Sequence, residues 1–191
     1  MPAPWRPLIL ASRSPQRRAI LDQLGIAYEA LPVDVEELAV GAPVEVARAN
    51  ALAKARAAAA RRPGRLVLGV DTIVDLDGEI FTKPGSAEAA RATLGRLQNR
   101  THEVLSGLAL VRDDDSQLVH EATGVTFRAL DEHLLDRYVR TGEWRDRAGG
   151  YAIQGQGAAL VRRIAGEYLN VVGLPVGALL DLDSSLILRH R

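Results

Sequence analysis

Residues 7–25, PLILASRSPQRRAILDQLG, change character three times in a short span. Pro7 to Ala11 are an apolar run suited to a buried strand, and the residues after them turn polar. Pro15 then suits the first position of a helix, with Ile20, Leu21 and Leu24 as its apolar residues and Gly25 as its stop. A strand, a loop and a helix in immediate succession open an α/β fold.

The rest of the chain continues in the same vein. YEALPVDVEE (residues 28–37) reads as a second strand running into an acidic loop. PVEVARANALAKARAAAARRPG (43–64) has proline near its start, alanines within, arginines in its last turn and Pro63-Gly64 to close it, all marks of a helix. RLVLGVDTIVDLDGEIFTKPG (65–85) predicts a strand ending near Asp71, followed by a hairpin turning at Asp77-Gly78. Ser86 caps a helix over 86–98. THEVLSGLALVR (101–112) and QLVHEATGVTFRAL (117–130) predict two long antiparallel strands joined by the polar residues 113–116. A helix begins behind Asp131, YAIQGQGAALVRRIAG (151–166) reads as a glycine-interrupted strand pair, and LPVGALLDLDSSLIL (174–188) as an apolar helix started by Pro175. Crossover and hairpin connections together predict an α/β fold with a mixed sheet flanked by helices.

Composition bounds what such a fold can do. A chain of 191 residues is long for one average domain and short for two, which predicts a single domain over 1–191 with two lobes around a central cleft. Hydrophobic residues make up 47% and charged residues 25%, an ordinary globular balance. Lys plus Arg and Asp plus Glu both total 24, so no overall basic field draws the chain onto nucleic acid or anionic lipid. The absence of cysteine excludes disulfides, thiolate zinc sites and a cysteine nucleophile. The sequence MPAPWRPLILAS has too short an apolar run for a signal-peptide core, and no window approaches a membrane span, which predicts a cytoplasmic protein.

Attraction for anions must then be local. A helix N-terminus presents unpaired N–H groups, and Ser12, Ser14, Arg17 and Arg18 add hydroxyls and guanidinium forks suited to phosphate oxygens. The plainer alternative is a capping serine beside surface arginines. A second cluster favours the phosphate reading. Asp71, at the predicted end of an apolar strand, has Thr72 beside it and Lys83 across the hairpin, while Glu36 and Glu37 offer further carboxylates. A carboxylate can bind a divalent ion or accept a proton from water, and Mg²⁺ commonly binds one or two carboxylates plus substrate phosphates. Each acid taken singly also reads as a solvated loop charge. Lys54 interrupts the alanine-rich helix, and Gln154, in the glycine-rich segment 146–158, has an amide able to read the edge of a base. Asp113 to Asp115 read as a solvated hairpin tip. His102, His120, His133 and His190 show no ligand spacing, and Trp144, Tyr151 and Tyr168 read as core or rim.

These residues lie in blocks that resemble the Maf proteins, nucleoside triphosphate pyrophosphatases with a fold similar to the inosine triphosphatases. The blocks are LASRSPQRRAIL, DVEE, ALAKARA, GVDTIV, TKP, RTHEVLSGLAL, VTFRAL, AGGYAIQGQGA and NVVGLPVGAL, in order and nearly end to end. The resemblance implies an elongated, curved mixed sheet split by a cleft. It also implies hydrolysis of a nucleoside triphosphate between the α and β phosphates with a divalent metal, Mg²⁺ or Mn²⁺, and clearance of non-standard nucleotides. By resemblance Asp71 accepts the proton from water and binds metal with Glu37, and Ser12, Arg17, Lys54 and Lys83 hold the triphosphate. The AGGYAIQG block with Thr72 and Gln154 resembles the branch that hydrolyses dTTP and UTP. That branch reads Ser-x-Ser-Pro-Arg-Arg in the first loop, and Gln16 stands here in place of its first arginine, a neutral amide where the branch has a fixed charge. Arg18, one residue on, points about 100° further round a helix. Members of the family are often dimers, so a homodimer is implied, with no nucleic-acid or membrane partner. The alternative is a nucleotide-binding regulator of cell division and septum formation that turns nothing over.

Overall fold

The computed structural model of the protein describes residues 6–188; residues 1–5 and 189–191, with His190 among them, lie outside this range. Strand β1 (Leu8–Leu10) leads through the polar loop into helix α1 (Pro15–Gln23), and β2 (Tyr28–Ala30) returns parallel to β1. Helix α2 (Pro43–Ala59) then crosses to β3 (Val67–Leu76), which is parallel to β1 and turns through Asp77-Gly78 into β4 (Glu79–Phe81). After α3 (Ala87–Leu97) come β5 (Thr101–Arg112), β6 (Asp115–Phe127), α4 (Glu132–Thr141) and β7 (Val161–Ala165). Short helices α5 (Tyr168–Val172), α6 (Val176–Leu182) and α7 (Ser185–Leu188) follow. The seven strands form one mixed sheet in the order β2-β1-β3-β5-β6-β7, with β4 hydrogen-bonded to β3.

The period-2 alternation of β3 sorts its residues between two faces. Val67 faces the alanines of α2, while Leu68 and Val70 face a cluster with Leu10, Leu21, Leu174 and Leu179. Further along, Val74 and Leu76 enter a separate cluster with Leu94, Leu97, Phe127, Leu135 and Tyr151. The two clusters are the cores of two lobes that share β3 and β5. Between them, on the same face, Thr72 of β3 and its register partner Ser106 of β5 interrupt the apolar lining with hydroxyls.

Two glycines bring α2 against the opposite face. A Cβ on Gly69 would lie 2.2 Å from the Ala51 carbonyl oxygen, and one on Gly107 would lie 2.2 Å from that of Ala47. The side chain of Asp71 falls on this helix-covered face, beside its bare register partner Gly107.

Three expectations require correction. Asp71 is not at a strand end, because β3 runs on unbroken to Leu76, held by β5 from Val67↔Val111 to Asp75↔Glu103. What opens near Asp71 is the other edge of the strand. There β1 pairs at Val67 and Leu68 and β4 at Val74 to Leu76, leaving Gly69 to Ile73 without a strand neighbour among the described residues. Residues 151–166 are not a strand pair. A 3-10 turn spans Ala148–Gly150 and another Gln156–Leu160, and only β7 is a strand. Gly149 and Gly150 take positive φ, and the Tyr138 hydroxyl accepts the Ala152 N–H that a ladder would otherwise use. The C-terminal apolar helix is two, broken at Asp183, whose Oδ1 caps Ser185 N at 3.0 Å.

Candidate active site

The loop after β1 folds back at the open edge of β3. Ser14 caps α1, its hydroxyl accepting from Arg17 N at 3.4 Å and donating to Gln16 Oε1 at 3.0 Å. This turns Arg17 inward to a buried position, where its guanidinium spans three elements. Nε donates to Gly173 O at 2.8 Å, Nη1 to Ser12 Oγ at 2.9 Å and Nη2 to Thr72 Oγ1 at 3.1 Å. The five-donor fork ties the loop to β3 and to the turn between α5 and α6. Burial pushes the Arg17 pKa below its usual value, and Asp71 and Glu37 oppose that push.

On the α2 side of the same edge, Asp71 is 6% exposed. Its Oδ1 accepts from Lys54 Nζ at 2.6 Å and its Oδ2 from Asn50 Nδ2 at 3.0 Å. Lys54 Nζ also reaches Glu37 Oε1 at 2.9 Å. Asn50 and Lys54 are one helical turn apart, which puts both on the face of α2 that meets β3. The edge of β3 therefore separates a carboxylate–ammonium cluster on one side from a hydroxyl–guanidinium cluster on the other.

Beside Thr72 a pocket of about 90 Å³ runs between the lobes. Ser14, Gln16, Arg17 and Lys83 line it with Asp146 and Arg147, and Val104, Tyr151, Val171 and Val172 supply its apolar wall. Lys83 is exposed and has no ion-pair partner among the described residues. The Nε of Arg147 is buried without a hydrogen-bond partner. Beneath the pocket, Tyr151 Oη meets His102 Nε2 at 2.9 Å, and burial lowers the His102 pKa to about 4.

Ser12, Ser14, Gln16, Arg17, Thr72 and Lys83 are thus assembled on the pocket side, and Glu37, Lys54 and Asp71 on the helix side. Gln154 is not brought in: it is exposed and lies outside the pocket lining. Arg18 is outside the lining too, its Nη2 donating to Arg13 O. Asn50 and Arg147 were passed over in the sequence. A signal for Asn50 existed, namely the only amide in an alanine helix, four residues before Lys54; Arg147, in a loop rich in arginine, had none.

The donor chemistry fits a divalent cation. Asp71 and Glu37 converge on one ammonium, each carboxylate keeping lone pairs beyond those bonds, and a hard ion bound through one or two carboxylates takes its remaining oxygens from phosphate and water. Among the described residues no group of three or more His, Asp or Glu could hold a metal by itself.

A family model described as Maf-like protein matches residues 7–185. The chain is 50% identical over 171 residues to the dTTP/UTP pyrophosphatase of Symbiobacterium thermophilum, covering 88% of each chain. It is 49% identical over 188 residues to the dTTP/UTP pyrophosphatase of Nitratidesulfovibrio vulgaris, covering 96% of this chain and 88% of the relative. The protein of the same name from Pyrococcus furiosus is 43% identical over 176 residues, covering 92% and 93%. Among solved structures, a HAM1 protein from Coxiella burnetii superposes with a TM-score of 0.50 at 20% identity, covering 81% of this chain and 91% of that one, a likeness of fold alone.

Proposed function

The chain belongs to the Maf family, and we propose that it hydrolyses a nucleoside triphosphate, with dTTP and UTP preferred, to the monophosphate and pyrophosphate. The observation that carries this reading is the buried Asp71 beside Lys54 at the open edge of β3, with Arg17 and Thr72 across that edge. A nucleoside lies in the pocket against Tyr151, Val104 and Val172, and its phosphates pass over the edge toward Lys54, between Arg17 and Lys83.

In this mechanism Lys54 has two sets of partners. Without substrate its ammonium neutralises Asp71 and Glu37; with substrate the more highly charged triphosphate draws it away and frees Asp71 Oδ1. That oxygen takes a proton from water, the water oxygen bonds to the α-phosphorus, and the bond from that phosphorus to the α–β bridging oxygen breaks, releasing pyrophosphate. Arg17, Lys83 and Arg147 offset charge building on the phosphate oxygens. A divalent ion, held by Asp71 and Glu37 together with the phosphates, supplies further charge neutralisation when bound. Hydroxyl pairing with Ser14 fixes the Gln16 side chain, which offers the nucleotide an amide in place of a cation.

Pyrophosphate release from a panel of pyrimidine, purine and modified triphosphates with Mg²⁺ or Mn²⁺ tests the proposal. Pyrophosphate with dTTP and UTP as best substrates supports it; orthophosphate as product, or no preference for pyrimidines, contradicts it. Faster turnover of modified than of standard pyrimidine triphosphates would assign the protein to clearing non-standard nucleotides.

A further inference from the structure

Asn50 is buried in α2, and its whole amide is committed. Oδ1 accepts from Leu38 N at 2.8 Å, and Nδ2 donates to Leu38 O at 3.0 Å and to Asp71 Oδ2 at 3.0 Å. Only one orientation of the amide satisfies these partners, since the reverse would set a carbonyl against Leu38 O and Asp71. The backbone it clamps belongs to the loop carrying Glu37, whose neighbours Leu38 and Val40 are exposed and give that loop little packing of its own. One side chain therefore fixes both the rotation of the Asp71 carboxylate and the position of the residue next to Glu37.

We propose, resting on the pyrophosphatase reading, that Asn50 is a positioning residue for the reaction: it holds Asp71 Oδ2 so that Oδ1 faces Lys54 and the incoming water, and it sets the distance between Asp71 and the Glu37 loop. Asn50 touches no substrate. It acts through Asp71, so its loss slows turnover without loosening the nucleotide. A residue that merely fills the helix–sheet interface would instead lower the number of folded molecules and leave each folded site at full rate.

The test uses Asn50→Ala in the full chain, with dTTP, Mg²⁺ and a non-hydrolysable α,β-imido analogue. Calorimetric titration with the analogue counts competent sites, and kcat is expressed per competent site. Losing one hydrogen bond to a charged group predicts a fall of about 10- to 100-fold in kcat, with KM and analogue affinity within about twofold of the parent. Asn50→Asp keeps an acceptor for Leu38 N but loses the donor and sets a like charge against Asp71, so its kcat falls at least as far. If Asn50→Ala does not fold, Asn50→Ser, which leaves a smaller hole, carries the same comparison. An unchanged kcat per competent site, or a loss confined to KM, overturns the assignment. Absence of pyrophosphate release by the parent protein overturns the pyrophosphatase reading instead, so the two failures are distinct.

Discussion

Replacing Arg17 by lysine keeps the charge and removes the fork. The three Arg17 donors reach Gly173 O, Ser12 Oγ and Thr72 Oγ1, which lie in different directions at 2.8, 2.9 and 3.1 Å. A single ammonium on a shorter stem cannot reach all three. The Thr72 hydroxyl keeps its bond to Ser106 at 2.9 Å and loses little. The Gly173 carbonyl is the point of failure, because Gly173 is buried at the end of α5 and a buried carbonyl that loses the Arg17 Nε–H is costly to leave unpaired. With hydrogen bonds to charged groups worth roughly 1.5–3 kcal/mol, and discounting for re-pairing of the hydroxyls, Arg17→Lys should cost about 2–4 kcal/mol. For a chain of this size that lowers the melting temperature by roughly 5–15 °C. Because the same fork faces the phosphates, kcat/KM should also fall by about two orders of magnitude. Thermal melts followed by saturation kinetics on the folded protein read both effects. A variant that melts within about 2 °C of the parent and keeps its kcat/KM would show that charge alone, not the three-way geometry, is what matters at this position.

Two further outcomes follow from packing and burial. Gly107→Ala drives a methyl into the Ala47 carbonyl and pushes α2, with Asn50 and Lys54, away from Asp71; denaturant melts should show a loss of about 1–3 kcal/mol, and assays a fall in kcat beyond it. His102 has a folded pKa lowered to about 4 by burial, against an ordinary 6.5, so the unfolded chain takes up its proton first as pH falls. Stability from this group is full above pH 6.5 and is lost between 6.5 and 4, about 2 kcal/mol by pH 5. Urea melts at pH 7 and pH 5 should show this loss, and His102→Gln should flatten the slope.

Much of this arrangement was legible in the residues. The strand–loop–helix of 7–25 was explicit because proline, capping serine and glycine each mark a boundary, and the structure places β1, Ser14 and α1 there. The antiparallel pair β5–β6 was explicit from two long strand-like stretches joined by the polar residues 113–116. The end of β3 was not, because a strand paired along one edge and bare for five residues on the other reads in sequence like any continuous strand. The segment 151–166 misled for a related reason: Tyr151, Ala152 and Ile153 are buried like strand residues, but side chains from the α4 region take backbone N–H groups of the segment, the Tyr138 hydroxyl that of Ala152 and the Glu143 carboxylate those of Gln156 and Gly157. For the site, residue types announced themselves and pairings did not. Asp71, Lys54 and Arg17 are chemically conspicuous, whereas the contact of Lys54 with Asp71 depends on two glycines that let α2 approach the sheet.

The most direct test of the chemistry is Asp71→Asn. The amide keeps the volume of the carboxylate at a buried position, and Lys54 retains Glu37 as a partner, so the fold and the binding of a non-hydrolysable triphosphate should persist. Without a base to receive the proton of water, kcat for pyrophosphate release should fall by about 10²–10⁴-fold. A folded Asp71→Asn protein that releases pyrophosphate from dTTP within about twofold of the parent rate would contradict the role assigned to Asp71.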